Sequence, residues 1–327
     1  MNEKLLKVES LSVNFDTYEG IVRAVENVSF YINKGECFGL VGESGCGKSV
    51  TALSIIKLLP ESAKIVNSKI FFDNMDLTKA TEKEIRQIRG SKIPMIFQDP
   101  GSSLNPSMRI GDQMVETIML HQGIKKKTAE NVAVEMLELV GITNSKRCLT
   151  LYPFELSGGM QQRVLISLAL SCQPSLLIAD EATSNLDVTI QAEILSLLNS
   201  LQKQFGMSIL FITHDIGIVA SMCERVAVMY AGSIVEQGLT KEILQQSLHP
   251  YTNGLIKAIP SIRNKQVLLD AIPGRVPSLL NFRKGCMFYS RCSKHIEGLC
   301  NLETPGPLEI KSGHFISCHL VEKERDM

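Results

Sequence analysis

The chain has 327 residues, 44% of them hydrophobic, and 34 basic side chains balance 34 acidic ones. That length accommodates a full α/β core plus an appendage, and the neutral balance gives no bulk electrostatic ground for a nucleic-acid partner. No stretch approaches the ~20 apolar residues that cross a bilayer, so a soluble chain is expected.

The opening residues Met1-Asn2-Glu3-Lys4-Leu5-Leu6-Lys7 lack the apolar core of a signal peptide. Nine cysteines without an export signal then suggest reduced thiols or metal sites rather than disulfides. Residues 5–32 read as two or three strands of an antiparallel β region, interrupted by Thr17-Tyr18-Glu19-Gly20. Short apolar strands alternating with helical patterns then predict an α/β fold with a mainly parallel central sheet.

Gly42-Glu43-Ser44-Gly45-Cys46-Gly47-Lys48-Ser49 follows the apolar run Phe38-Gly39-Leu40-Val41 and precedes a helical pattern over 50–59. It matches G-x-x-x-x-G-K-[ST] in the strand–loop–helix setting the motif needs. Glycines let the backbone turn tightly so that successive N–H groups face phosphate oxygens. The helix N-terminus adds favourable potential of about 0.3–1 kcal/mol. Lys48 reaches the β- and γ-phosphates, and the Ser49 hydroxyl is placed to ligate Mg²⁺.

A further strand, Ile93-Pro94-Met95-Ile96-Phe97, ends in Gln98 and opens the polar turn Asp99-Pro100-Gly101-Ser102-Ser103-Leu104-Asn105-Pro106. Helical spacing of Met, Ile, Leu and Val marks 111–122 and 128–140, with Met114, Met119 and Met136 read as packing residues and Lys125-Lys126-Lys127 as a solvated loop. In Leu156-Ser157-Gly158-Gly159-Met160-Gln161-Gln162-Arg163, Ser157 reads as the N-cap of a helix reaching about 171, its free N–H groups offered to an anion. The buried-strand pattern Leu176-Leu177-Ile178-Ala179 delivers Asp180, suited to Mg²⁺ through water. Glu181 follows on the opposite face of the pleat, suited to polarise an attacking water as general base. His214 follows the strand 208–213.

After Gly238 the pattern changes. A helix runs from 248 to about Ile259, and Pro260, Pro273-Gly274 and Pro277 mark an irregular segment. Cys286, Cys292, Cys300 and Cys318 follow in a C-x5-C-x7-C-x17-C spacing that differs from the paired C-x2-C of most zinc ribbons. By spacing alone they hold a [4Fe–4S] cluster, a zinc ion, or nothing. His295, His314 and His319 are alternative ligands or surface residues. Cys46, Cys172 and Cys223 read as small buried or loop residues.

The phosphate loop, the Leu-Ser-Gly-Gly segment and the Asp180-Glu181 strand end, in this order, resemble the ATP-binding subunit of an ABC transporter over roughly residues 5–260. The resemblance implies an α/β, P-loop, RecA-like core with antiparallel β and helical subdomains. It implies a nucleotide-binding domain over 1–250, its helical subdomain at about 101–160, and a small irregular cysteine-rich extension over 251–327. It makes the chain an ATPase with ATP and Mg²⁺ as cofactors. Gln98 touches Mg²⁺ or the lytic water, and its loop receives a coupling helix of a membrane subunit. His214 is the switch residue that senses the γ-phosphate. An N-terminal aromatic, Tyr18 or Phe15, stacks on adenine. Leu156, Ser157, Gly158, Gly159 and Gln161 bind the γ-phosphate of ATP held by a second ATPase subunit, and Asp187 lies at that seam. Ala182 stands where proline is usual and Asn185 where alanine is usual, which touches the seam's fine geometry and removes no ligand.

The wording Phe97-Gln98-Asp99-Pro100 and Ser103-Leu104-Asn105-Pro106 resembles the oligopeptide, dipeptide and nickel importer branch. Gly285-Cys286-Met287-Phe288, Arg291-Cys292 and Gly313-His314 before Cys318-His319 resemble that branch's C-terminal cysteine motif, implying a [4Fe–4S] cluster with zinc as the alternative. Asn281-Phe282-Arg283-Lys284 departs from that branch, which often carries proline there. The implied function is import of di- or oligopeptides, with nickel or a metal chelate as runner-up. The implied partners are a second, related ATPase chain, two transmembrane permeases and an extracytoplasmic solute-binding protein, at the cytoplasmic face of the membrane. A non-transport ABC ATPase of DNA repair or the ribosome is the reading from another class. It fits less well, because only about 110 residues separate Ser49 from Leu156 and a single cassette is present.

Overall fold

A computed structural model describes residues 3–258, 272–280 and 284–325, with backbone only at 324 and 325. Ile259, Pro260 and the 281–283 part of the proline-poor stretch lie outside the described residues. The chain divides into two compact units, one of Met1–Glu3, Asn33–Glu36 and Lys79–Leu210, the other of Lys4–Ile32, Cys37–Thr78 and Phe211–Met327.

The second unit holds the antiparallel β region. Gly20–Asn33 pairs with Lys4–Thr17, which pairs with Lys69–Phe72 and with Ala63–Val66, while Met75–Asp76 pairs with Lys69–Phe72. Leu5, Leu6, Val8, Leu11 and Val13 are buried, and the alternation changes from even positions (Leu6, Val8) to odd ones (Leu11, Val13) across Ser10, whose φ is +51°. The register is therefore set by which face meets the core. Tyr18 and Glu19 form the hairpin tip, where Thr17 Oγ1 donates to Gly20 O at 2.7 Å.

The same unit contains the strand before the phosphate loop. Cys37–Val41 is buried throughout and runs parallel to Arg225–Tyr230, with Phe38 opposite Arg225 and Val41 opposite Val228. A strand covered on both faces reads as a continuous apolar run, which is why Phe38 to Val41 is legible in sequence. Ser233–Leu239 pairs antiparallel with Arg225–Tyr230, then His314–Ile316 with Ser233–Leu239, and Leu308–Lys311 with His314–Ile316. The C-terminal segment is therefore less irregular than its prolines and glycines suggest. Its two short strands cover the edge of Ser233–Leu239, which would otherwise expose unpaired backbone groups.

The first unit is mostly helical, with the parallel pair Met95–Ile96 and Leu176–Asp180. Pro94, which cannot donate to a ladder, helps to confine the expected 93–97 strand to two residues. Ile110–Gln122 buries Ile110, Met114, Val115 and Ile118, and Lys126–Leu139 buries Ala129, Ala133 and Leu137, at helical spacing. Two expectations change here. Met119 is exposed rather than packed, and Lys126 and Lys127 open a helix instead of lying in a loop. All three lysines face solvent, where water screens their unfavourable position at a helix N-terminus.

Candidate functional site

The loop after Cys37–Val41 is shaped by its glycines. A Cβ on Gly42 would meet Met229 O at 2.1 Å, and one on Gly47 would meet Ala24 O at 2.4 Å. Gly45 and Gly47 have φ of +78° and +99°, a region other residues rarely adopt. Gly47 caps the helix Lys48–Ile55, which is shorter than the expected 50–59 pattern at its C-terminal end. The buried Lys48 folds back over the loop, its Nζ donating to Gly42 O at 2.8 Å and Glu43 O at 3.0 Å, with Cys46 Sγ at 3.8 Å. Burial pushes the Cys46 thiol up, keeping it protonated as a small apolar filler. Ser44, Gly45 and Ser49 are exposed, as an anion cradle requires. The loop has the strand–turn–helix setting that the phosphate-loop motif needs.

His214 lies in the same unit, exposed at the end of Ser208–Thr213. The turn beyond it is fixed by Asp215, whose N–H donates to Thr213 Oγ1 at 3.0 Å and whose carboxylate accepts from Gly217 N at 2.7 Å. Tyr18 is fully exposed and Phe15 half-buried, each placed near the hairpin tip.

In the other unit, Leu176–Asp180 ends at the buried Asp180, and Glu181 takes φ of +48°. The carboxylate therefore leaves the strand by a left-handed turn, not by simple alternation along a pleat. That conformation is uncommon outside glycine and clusters at functional sites. Glu181 Oε2 accepts from Gln98 Nε2 at 3.0 Å, so the two predicted catalytic residues of this unit meet directly. Asn185, one of the two family departures, donates from Nδ2 to Gln98 O at 3.4 Å, and Ala182, the other, is buried.

Ser157 is the N-cap of Gly158–Leu170, accepting from Met160 N at 3.4 Å. It is exposed together with Gly158, so the helix N-terminus faces solvent, while Leu156 is buried. Gln161 Nε2 donates to Pro153 O at 2.8 Å and ties the preceding turn to this helix. Asp187 caps Val188–Phe205, accepting from Thr189 N at 3.1 Å and Ile190 N at 3.0 Å.

The cysteine segment belongs to the unit of the phosphate loop. Among the described residues one backbone hydrogen bond reaches these sulfurs, from Ile296 N to Cys300 Sγ at 3.3 Å. Nearby N–H groups of Phe288, Lys294 and Leu320 pull Cys286, Cys292 and Cys318 down without offsetting burial. Burial first, and then the other thiols of the set, push Cys286 and Cys318 up to about 11. Among the described residues no three His, Cys, Asp or Glu side chains are gathered as a single metal-ion site. The histidines considered as alternative ligands are engaged elsewhere. His314 Nε2 lies 3.1 Å from Glu236 Oε1, His319 Nδ1 2.8 Å from Glu322 Oε2, and His295 Nδ1 2.8 Å from Cys292 O.

Two residues to which the sequence reading gave no role at the phosphate loop hold it in place. Arg291 pairs with the Glu43 carboxylate, and Tyr251 Oη accepts from Glu43 N at 3.0 Å. Arg291 lies 248 positions from Glu43, and no spacing rule reaches that far.

The ABC transporter family pattern matches residues 25–184, and the pattern of the oligopeptide/dipeptide transporter C-terminal region matches 235–300. The dipeptide transport ATP-binding protein DppD of Bacillus subtilis is 46% identical over 99% of this chain and 97% of its own. The oligopeptide transport ATP-binding protein AppD of the same organism is 46% identical over 98% of each chain. Among solved structures, a dimeric post-hydrolysis ATP-binding cassette bound to ADP and Pi superposes with a TM-score of 0.65 at 26% identity, over 72% of this chain and 98% of that one. The structure of cbiO1 from Clostridium perfringens, part of the ABC transporter complex cbiONQ, gives 0.64 at 31% identity, over 75% and 92%. The chain belongs to the ABC transporter ATP-binding family, in its oligopeptide/dipeptide branch. It is an ATPase cassette of that family's fold.

Proposed function

We infer that this chain is the ATP-hydrolysing motor subunit that energises import of short peptides. The observation that carries the reading is the 46% identity, over nearly the whole chain, to a dipeptide transport ATP-binding protein. Residues 42–49 cradle the phosphates, with Lys48 on the β- and γ-phosphates. Ser49, Gln98 and Asp180 serve Mg²⁺, Glu181 polarises the attacking water, and His214 senses the γ-phosphate. Tyr18 is the adenine-stacking candidate. Ser157 and its helix, with Leu156, Gly158, Gly159, Gln161 and Asp187, serve ATP held by a second ATPase chain, a related rather than identical one. Two permeases and an extracytoplasmic peptide-binding protein complete the machine, with this subunit peripheral on the cytoplasmic face. Among the described residues no helix is long and apolar enough to cross a membrane, which supports a peripheral role.

Residues 1–250 act as the nucleotide-binding domain, with its helical subdomain at about 101–160, and 251–327 as the branch-specific extension. Cys286, Cys292, Cys300 and Cys318 are read as ligands of a [4Fe–4S] cluster. The support is the four cysteines falling in one C-terminal segment, where the thiols of the set act on one another, with Cys300 Sγ accepting from Ile296 N at 3.3 Å. Zinc is the alternative, although a tetrahedral ion with bonds of about 2.3 Å asks for tighter gathering of the sulfurs. When bound, such a group cross-links a segment too small for a core of its own.

Reconstitution with the permeases and binding protein tests the transport reading. Peptide-stimulated ATP hydrolysis is expected, and stimulation by nickel or a chelate alone would replace peptides as cargo. Anaerobic purification with metal analysis tests the cluster. About four irons per chain, lost in Cys286→Ser and Cys300→Ser, are expected, and zinc or no metal would end that reading while leaving the ATPase core intact.

A further inference from the structure

The phosphate loop carries a carboxylate at its second position, where an anion site gains nothing from negative charge. Arg291 meets it with a two-pronged contact: Nη1 donates to Glu43 Oε2 at 2.8 Å and Nη2 to Oε1 at 3.1 Å. Such forked pairs fix orientation as well as charge. The guanidinium is itself held in place and buried. Nε donates to Pro273 O at 2.8 Å, Nη1 to Tyr230 Oη at 3.3 Å, and Nη2 to Ile272 O at 3.4 Å. Glu43 is anchored from its main chain as well, its N–H on Tyr251 and its carbonyl on the Lys48 ammonium. A shift of Glu43 would thus move the cation that contacts phosphate.

We propose that Arg291 is a positioning residue of the nucleotide site: by neutralising and orienting Glu43, the cysteine-bearing C-terminal segment sets the affinity of the phosphate loop for ATP and ADP. Unpaired, the Glu43 carboxylate would add a negative charge to a partly buried loop that is to hold a polyphosphate, where Coulomb repulsion is poorly screened. Arg291 stands one residue before Cys292, so whatever orders the cysteines orders the guanidinium. The proposal rests on residues 42–49 being the nucleotide site.

A purely structural pair would behave differently from a neutralising one. Losing either partner of a structural pair costs packing, and losing both restores nothing. A neutralising pair predicts rescue, because removing the carboxylate removes the need for the arginine. The test is calorimetric titration of the full-length chain with MgADP. Arg291→Gln should weaken binding about tenfold or more, Glu43→Gln alone about threefold at most, and the double variant should return to within about threefold of Glu43→Gln. Arg291→Gln binding within twofold of the parent, or a double variant as weak as Arg291→Gln, overturns the proposal. Should Arg291→Gln fail to fold, Arg291→Lys carries the test. It keeps the charge but not the two-pronged contact, so it should bind more weakly than the parent, and adding Glu43→Gln should return binding to within about threefold of Glu43→Gln. No such return would sink the idea. Lys48→Ala is the control for the underlying reading. If it binds MgADP like the parent, the loop assignment fails, independently of Arg291.

Discussion

Gln98 donates to Glu181 across 3.0 Å, joining the end of one short strand to the left-handed residue that ends its neighbour. The φ of +48° at Glu181 carries a cost of roughly 1–3 kcal/mol. The hydrogen bond from Gln98, with Asn185 on the Gln98 carbonyl, helps to hold the carboxylate in that conformation. Among the described residues eight other non-glycine residues share a positive φ, but Glu181 is the one of them proposed as general base, where strain serves pre-organisation.

Glu181→Gln keeps the shape and removes the basicity. Steady-state ATP hydrolysis by the assembled complex should fall by about 10²–10⁴-fold, while MgATP binding is retained. Gln98→Ala leaves the carboxylate in place and should lower the rate by less. Normal hydrolysis in Glu181→Gln would remove Glu181 from the mechanism.

Gly47→Ala places a Cβ 2.4 Å from Ala24 O at a φ of +99°. Neither backbone can yield cheaply, so the variant should lose about 1–3 kcal/mol of stability and most of its MgADP affinity. Thermal melting and MgADP titration read the two effects separately. An alanine variant that binds and melts like the parent would show that the loop is more plastic than its packing implies.

Ser157→Ala removes the N-cap of Gly158–Leu170, at a cost of about 1 kcal/mol. Because this helix is proposed to serve nucleotide on a partner, MgADP affinity of the isolated chain should be unchanged. ATP hydrolysis in the assembled transporter should drop. A loss of binding in the isolated chain would point to a role within the chain's own site.

Acid should unfold the protein through a buried pair of groups. His249 is buried and its Nδ1 accepts from Tyr251 N at 3.0 Å, and burial holds its pKa down at about 4 despite the nearby Glu236. The unfolded chain protonates this ring from about pH 6.5 downward, and the folded chain only near 4. Stability therefore falls as pH drops through that window, by about 3 kcal/mol in total. For the fully buried Glu236, burial pushes the carboxyl up. His314 and the N–H groups of Leu248 and His249 outweigh that and hold it below the usual range. Its contribution is present above the ordinary carboxylate pKa and is lost below it, in the same direction. Melting temperatures between pH 7 and 5 should decline, and His249→Asn, which keeps a capping side chain, should flatten the decline. An unchanged slope would mean that other groups set the acid limit.

Much of the cassette was legible before any coordinates. The apolar run Phe38-Gly39-Leu40-Val41 reads as the strand before the phosphate loop, and the structure has the strand Cys37–Val41, wholly buried. The Met, Ile, Leu and Val spacing predicted the helices now seen at Ile110–Gln122 and Lys126–Leu139. Their ends were less clear, since a lysine run looks the same in a loop and in an exposed first turn. Pro94 could have warned that the strand before Gln98 would be short. The pairing of 308–311 with 314–316 was missed, because strands this brief leave no periodic signal among turn residues.

The sequence by itself determined the elements on which the proposed functions rest: a glycine-lined loop with its lysine and serine, a helix capped by Ser157, and a strand that leads into two carboxylates. Those functions depend on residues a few positions apart, whose mutual placement is dictated by local backbone geometry. Only the tertiary structure decided that Glu181 turns left-handed onto Gln98, that Tyr251 and Arg291 grip Glu43, and that a pair of C-terminal strands seals the edge of Ser233–Leu239. Each of these joins residues far apart in the chain or fixes a backbone state that many sequences permit. Such relations come from packing and Coulomb forces acting across the folded core, and local residue patterns carry no record of them.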